Sequence, residues 1–554
     1  MSRAPSFVLL GALLAAGVLA SGCVTSPGQG PTTASAPDAL DTSWAAKALV
    51  NDTPAPGVKH DHRNWSQHVG LSTPNFVELA HDSLGVKYYD NASAGEYFCG
   101  GTGTTKDGHK LAVISSYDTD VAFVLVDVTD PLHPVHLGDY LLGAPTPTGQ
   151  DVGPTTYDVD ITPDGAHVVI AADLPLGQNH APTGDAVALP GIASAALAPH
   201  VTIQPRFRDA CTGEVRAEGP EQSLPMWPGT VLVSLADPKN PAFEDFVPAP
   251  VIGPHSVSTA SIDNVTYVAA STTNLVHQGS YFQFFQIEEL PTGGKLVPVS
   301  MVDAGQYGNP VVGTFNGHVD AEIAVHPVTK KPVVYLSDWD GGLVVLDFSN
   351  PAAPLELGAW HDAGADGGAL HSTRSIEGVY NGHHYLLAGQ EFTSHPSNRP
   401  SGWIYILDDT DPANVKEVGR WTLPAETQDN WARSNNGGGV ELFSTHYFRV
   451  INDTAFVAMY HAGVWAFKLN FTNPEMMKEP PSVGVFVPDK PADKGRVPKS
   501  GYDFAPFVLD VLPTGGNYLT VFDGLTGVYS LQYDPDHPMP SPTPWPASGK
   551  TGAG

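Results

Sequence analysis

Apolar and polar positions along the chain fall in short alternating runs, without the wide stripes of amphipathic helices. The stretch "GLVVLDFSNPAAPLELGAWHD" begins at Gly342 with an apolar run that closes on Asp347. A turn around Pro351 and Pro354 follows, and then Leu355, Leu357 and Trp360 recur as the apolar positions of a second strand. The same D-x3-P-x6-G spacing carries Asp127, Pro131 and Gly138, then Asp347, Pro351 and Gly358, then Asp408, Pro412 and Gly419. Weaker copies surround Pro238, Pro291, Pro474 and Pro535, so the unit recurs about every 60 residues. The one long interval holds an insertion at residues 176–226 in the second repeat.

Each unit has room for four strands. In the fourth they are expected at residues 321–327, 332–340, 342–348 and 354–361. A four-stranded sheet cannot bury both faces alone, so seven such units must stack around a ring. The pattern therefore predicts an all-β, seven-bladed β-propeller over residues 61–535. No fourth strand follows the last copy. Residues 74–82, "PNFVELAHD", match residues 354–362, "PLELGAWHD", in carrying His and Asp seven and eight residues after Pro. This N-terminal strand is expected to close the last blade and remove an exposed seam.

Composition agrees with the pattern: hydrophobic residues make up 42%, and 57 Gly with 51 Pro favour short strands joined by turns. The 27 Lys and Arg against 58 Asp and Glu give a net charge of −31, which excludes a phosphate-binding, nucleic-acid role. Outside the repeat, Arg3 and an apolar run from Phe7 to Ala20 read as a signal peptide over residues 1–22. Residues 23–60 read as a flexible tether and residues 536–554 as a disordered tail. "LASGC" resembles the lipobox of prokaryotic lipoproteins, which implies a lipid on Cys23 and anchorage on the periplasmic or cell-surface side of a membrane. An ordinary secretory signal cut near Cys23 is the alternative. In an exported protein the two remaining cysteines, Cys99 and Cys211, are expected to form a disulfide, the alternative being two separate buried thiols.

The runs "FVLVDV" and "LVVLDF", with "STHYF" before "AMYHAGVWAFKL" and "LHSTRS" before "LLAGQEF", resemble the LVIVD-repeat family of prokaryotic cell-surface β-propellers. The resemblance implies the fold and a surface location, and it brings no defined activity. The chain departs from the pattern at Lys468, where the strand-ending Asp is expected, and in the long insertion.

Candidate chemistry lies where the first strand of each blade begins, because those ends converge on one mouth of the channel. His255, His318, His371 and His446 occupy that place in four consecutive units, while Tyr157 with Asp158 and Tyr502 with Asp503 occupy it in two others. Converging imidazoles suit a first-row transition metal such as Cu, Zn, Fe or Ni, with Asp320 or Asp158 orienting a ring nitrogen. The alternative is a water-filled polar channel whose histidines bond the next blade's backbone. Gln390 and Glu391, close to Arg374, are expected to contact a substrate or to pair with that arginine. The acidic turn Asp338–Gly342 lacks the ligand ladder of a calcium loop. Six N-x-S/T sequons, at Asn51, Asn64, Asn91, Asn264, Asn452 and Asn470, permit glycosylation where a host supplies it. No G-x-S-x-G, P-loop or H-E-x-x-H motif is present. These readings favour a lipid-anchored binding module, with no catalytic residues assigned, whose partner is a surface protein, a polysaccharide or a small ligand. A metalloenzyme, oxidoreductase or hydrolase, with the metal in the channel is the rival.

Overall fold

The computed structural model describes residues 72–84, 97–116, 121–142, 144–145, 151–152, 155–173, 201–218, 222–224, 229–249, 253–274, 279–304, 320–339, 341–362, 370–391, 402–423, 444–489 and 506–536. Cys23, His318, Tyr502, Asp503, the expected signal and tether, and all of the expected tail but residue 536 lie outside them.

Seven antiparallel sheets follow one another along the chain. Blade 1 runs from its inner strand Tyr97–Thr104 to its outer strand Val135–Leu141, and blade 2 from Thr155–Ile161 to Ala242–Pro248. Blades 3, 4, 5 and 6 begin at Pro254–Ile262, Ala321–Val325, Leu370–Ser375 and Phe448–Ile451. Blade 7 begins at Val508–Gly515, and its fourth strand is Phe76–Asp82, paired antiparallel with Gly527–Tyr533 in a register that sets Phe76 opposite Tyr533. The predicted closure is therefore present. Blade 4 has strands Ala321–Val325, Pro332–Asp338, Gly342–Asp347 and Leu355–Trp360, close to the expected limits.

The ring is held by burial between blades. Seven apolar clusters are found among the described residues, and each spans two neighbouring blades. Leu512, Phe522 and Val528 of blade 7 meet Ala112, Ile114 and Val124 of blade 1, which closes the circle. Since each sheet face is covered only by its neighbour, no blade can exclude water alone.

The repeat motif has a local explanation. Oδ1 of Asp127, Asp347 and Asp408 accepts from the N–H of Thr129, Ser349 and Thr410 two residues on, fixing the turn that contains the anchor proline. The motif glycine lies where the next blade's turn presses in. A Cβ on Gly358 would stand 2.5 Å from the carbonyl oxygen of Pro412, and one on Gly419 only 1.8 Å from that of Met477. The departure at Lys468 is a charge exchange: Lys331 pairs with Asp347 in blade 4, whereas in blade 6 Lys468 pairs with Asp453.

The insertion interrupts blade 2 between its second and third strands, His167–Asp173 and Gly229–Ser234. Its hairpin of Arg206–Asp209 and Val215–Ala217 adds to the outer edge of blade 1, making a six-stranded sheet. Phe207 is fully buried there and the guanidinium of Arg208 lies 3.0 Å from Asp139.

This placement corrects the expected Cys99–Cys211 disulfide. Cys99 is a free, buried thiol on the innermost strand of blade 1. Cys211 sits in the exposed turn of the added hairpin, on the far side of the same sheet. Four strand spacings of about 4.8 Å separate Cys99's strand from that hairpin, and a disulfide needs Cα atoms within about 7 Å.

Candidate functional site

The inner strands follow one another around the channel and are clasped side chain to backbone. Asp158 of blade 2 accepts from the N–H of Val257 in blade 3 at 3.1 Å, and Asp160 from that of Thr259 at 2.7 Å. Glu322 of blade 4 accepts from Ser375 of blade 5, and Asp510 of blade 7 from Gly100 of blade 1. Asp320 takes the guanidinium of Arg374, and Asp510 that of Arg449 at 3.4 Å. Both cations lie over the Tyr447 ring, their centres 5.4 Å and 5.6 Å from its centroid. Arg374 is therefore committed to Asp320, not to Glu391. Asp158 and Asp320 support neighbouring backbone and Arg374, and the ring nitrogen of His446 is held by another group.

Burial raises several of these carboxyls. Desolvation takes Asp160 up to about 6 and Glu322 up to about 7 despite their hydrogen bonds. Asp158 is pushed well above the ordinary range, first by burial and then by Asp320. Among the described residues, the channel thus gathers more carboxyl groups than guanidinium ions.

One group at the mouth has a different character. His371 follows the start of blade 5's inner strand, and Glu391 immediately follows that blade's second strand, Tyr385–Gln390. Leu370 pairs with Gln390 in register, so these two side chains emerge at the same end. His446 arrives from blade 6, its ring centroid 4.4 Å from that of His371. All three are buried, at 4–5% exposure. Their ligand atoms lie within 4.8 Å of one another. His371 Nε2 and Glu391 Oε2 are 3.7 Å apart, too far for a hydrogen bond.

Two supports fix the group. His446 Nδ1 lies 2.9 Å from the carbonyl oxygen of Leu509, and since a carbonyl only accepts, the ring proton sits on Nδ1 and the lone pair on Nε2. The Tyr460 hydroxyl donates to Glu391 Oε1 in a very short hydrogen bond. Tyr460 is itself set by paired backbone hydrogen bonds of 3.0 Å with Val508. Burial nevertheless carries Glu391 up to about 7.

Of the four histidines read from the sequence, the structure brings His371 and His446 together. His255 stacks instead on Tyr157, ring centroids 4.3 Å apart, and His318 lies outside the described residues. Cys99 Sγ approaches His446 Nδ1 at 3.7 Å, on the side that faces the Leu509 carbonyl. Burial first, and then the Asp158 and Asp510 carboxylates, hold its thiol well above the ordinary range. Cys99 is therefore a neutral thiol. Iodoacetamide should leave it unmodified in the folded protein and alkylate it fully in guanidinium, as read by peptide mass spectrometry. Modification at equal rates in both states would place it in an open channel.

Sequence reading missed a second buried cluster, His326, His384 and Asp409, between blades 4 and 5. Here three of the four ring nitrogens are already occupied by the backbone. His326 Nδ1 accepts the N–H of Thr329 at 3.0 Å, while its Nε2–H donates to the Asp409 carbonyl at 2.9 Å. His384 Nε2 donates to the Ile376 carbonyl at 3.0 Å, and its Nδ1 lies 2.5 Å from Asp409 Oδ1, an ionic contact out of line for a good hydrogen bond. The Tyr335 hydroxyl donates to Asp409 Oδ2 at 2.7 Å. This is a closed hydrogen-bonded knot that joins two blades. A signal existed: the residue after the motif Asp or its equivalent is Val128, Phe348 or Leu469 in three other units, whereas here it is the acid Asp409.

No curated protein sequence matches the chain. Solved structures that match include the "Dos1 propeller", at 11% identity over 83% of this chain and 88% of that one, with a TM-score of 0.39. The computationally designed Ika8 protein matches at 8% identity over 80% of this chain and 98% of that one, with a TM-score of 0.36. The family model for the LVIVD repeat matches residues 334–362, so the seven-bladed propeller carries a recognised copy of that repeat in the second, third and fourth strands of blade 4.

Proposed function

We propose that the protein is a lipid-anchored, extracytoplasmic binding module that takes a small polar ligand at the channel mouth. The observation that carries this reading is the buried group His371, Glu391 and His446 with the Arg374–Tyr447–Arg449 stack beside it. A channel that served only to close the ring would be cheaper to fill with apolar side chains, because each buried polar group must be satisfied. The buried carboxyls around it, raised by desolvation, favour a ligand whose positive charge would draw them into the ionised form. A rigid ring suits such a site, since the mouth can vary while the interblade cores stay fixed. The lipobox-like "LASGC" supports anchorage through Cys23, with the propeller on the outer side of the membrane.

The test has two arms. Full-length protein made in its host with radiolabelled palmitate should carry label and sediment with membranes, and C23S should lose both. A thermal-shift panel of small amines, amino acids and divalent cations should raise the melting temperature of wild type, with the shift lost in H371A/H446A. Unlabelled, soluble wild type overturns the anchor; a panel without any shift overturns the binding site.

A further inference from the structure

Three side chains at the mouth, each from a different strand end, place a nitrogen, an oxygen and a nitrogen around one small volume. The geometry points to a mononuclear divalent transition-metal site formed by His371, Glu391 and His446, with a coordination position left open to the channel ligand; it rests on the channel mouth being the binding site. The spacing fits. Ligand atoms at about 2.0–2.2 Å from a tetrahedral ion stand roughly 3.3–3.6 Å from one another. The 3.7 Å between His371 Nε2 and Glu391 Oε2 lies just beyond that and is longer than a hydrogen bond. A small rotation of the side chains closes it.

The surroundings fit as well. A metal-bound imidazole ordinarily donates its other N–H to a backbone carbonyl or carboxylate, and His446 Nδ1 does so to Leu509. A ligating carboxylate is ordinarily hydrogen-bonded on its second oxygen, as Tyr460 does for Glu391 Oε1. Two imidazoles and a carboxylate form a borderline donor set that suits Zn²⁺, Co²⁺, Fe²⁺ or Ni²⁺ and is a poor one for Ca²⁺ or Mg²⁺. The contrast with His326, His384 and Asp409 is direct. There both ring nitrogens of His326 and Nε2 of His384 already bond the backbone, and His384 Nδ1 faces Asp409 directly at 2.5 Å.

Cys99 stands outside the coordination sphere, because it approaches His446 at Nδ1, the nitrogen turned to Leu509.

The experiment uses the full-length protein, stripped with EDTA, dialysed and titrated with ZnCl₂ by calorimetry, and in parallel with CoCl₂ by visible absorption. Wild type should bind one ion per chain and give the intense cobalt bands of a low-coordinate site. Glu391→Gln, which keeps the shape of the side chain, and H371A should each weaken Zn²⁺ binding at least tenfold, whereas H255A should leave it unchanged. Because His446 also clasps blade 7, H446A is read only after its circular dichroism matches wild type, and Glu391→Gln decides the matter otherwise. Wild type without stoichiometric Zn²⁺ or Co²⁺, or binding that survives Glu391→Gln together with H371A, overturns the site. Membrane anchorage and thermal shifts by amines or amino acids would then still stand, so the failure of the metal site is separable from that of the binding module.

Discussion

Replacing Asp409 by Ala is expected to cost about 3–5 kcal/mol of folding stability, the usual loss when one partner of a buried ion pair is removed. The carboxylate is fully buried and receives the Tyr335 hydroxyl, while His384 faces it at 2.5 Å. Removing Asp409 leaves the Tyr335 hydroxyl and the facing nitrogens of His326 and His384 without their acidic partner inside an apolar interface. The knot lies between the sheets that contribute Val333, Leu343, Leu386 and Leu407 to one core, so the damage falls on the interface between blades 4 and 5. Urea unfolding followed by tryptophan fluorescence measures it. Tyr335→Phe, which removes one hydrogen bond and no charge, should cost only about 1–2 kcal/mol. A loss under 1 kcal/mol for Asp409→Ala would show that the cluster is not ionic.

The same knot sets a pH dependence. Burial alone would raise the Asp409 carboxyl, but the bonds from His326, His384 and Tyr335 outweigh it and hold it at about 2. A folded-state value below the unfolded one, near 3.9, means that the stabilisation is present above about pH 4 and is lost as pH falls toward 2. At roughly 1.4 kcal/mol per unit this amounts to about 2.5 kcal/mol. Asp409→Asn should flatten that acid limb while lowering stability at neutral pH.

What was legible in the sequence follows the period of the blades. The D-x3-P-x6-G spacing survives because three local demands coincide in it. Asp347 caps its turn, Pro351 fixes the backbone there, and Gly358 leaves room for the turn of the next blade. Features that depend on which edge meets which were not legible. Nothing in "RFRDACTGEVRA" says that it docks on the outer strand of blade 1 and not on blade 2, where the chain departs. The one trace is Gly138, whose missing Cβ admits the Phe207 ring and the Arg208 carbonyl. The cysteine pairing failed for the same reason: redox compartment says that two thiols tend to pair, and only the sheet order says that these two occupy opposite edges.

The site was half legible. Rotational repetition places His371 and His446 at equivalent strand starts, which sequence shows directly. Glu391 is at the end of a second strand, and its meeting with His371 depends on the register of Leu370 with Gln390. Arg374 looked like its natural partner by proximity. The guanidinium turns instead to Asp320 on the preceding blade, because successive residues of an inner strand point to opposite sides.

Removal of the N-terminal strand should have the largest effect of all: a chain lacking residues 72–84 is expected to fail to fold and to accumulate as aggregate. This segment does two jobs at once. Phe76 to Asp82 supplies the fourth strand of blade 7, and without it Gly527–Tyr533 becomes an open edge ready to pair with other chains. Just before it, the residues fasten to the preceding blade. Thr73 exchanges backbone and hydroxyl hydrogen bonds with Val485, and Asn75 Nδ2 donates to the Val483 carbonyl at 2.7 Å. Phe76 then packs against Phe456, Phe486 and Tyr533 in the core between blades 6 and 7. A single substitution separates the two jobs: Phe76→Ala keeps the strand but empties that pocket, and should cost about 3–5 kcal/mol. Size-exclusion chromatography with circular dichroism reads the deletion, and thermal unfolding reads Phe76→Ala. A monomeric, β-rich deletion variant would mean that six complete blades and a three-stranded seventh can seal the ring alone. The covalent gap between chain ends would then fall at a seam that carries no stability, against the hydrogen bonds and aromatic contacts seen across it.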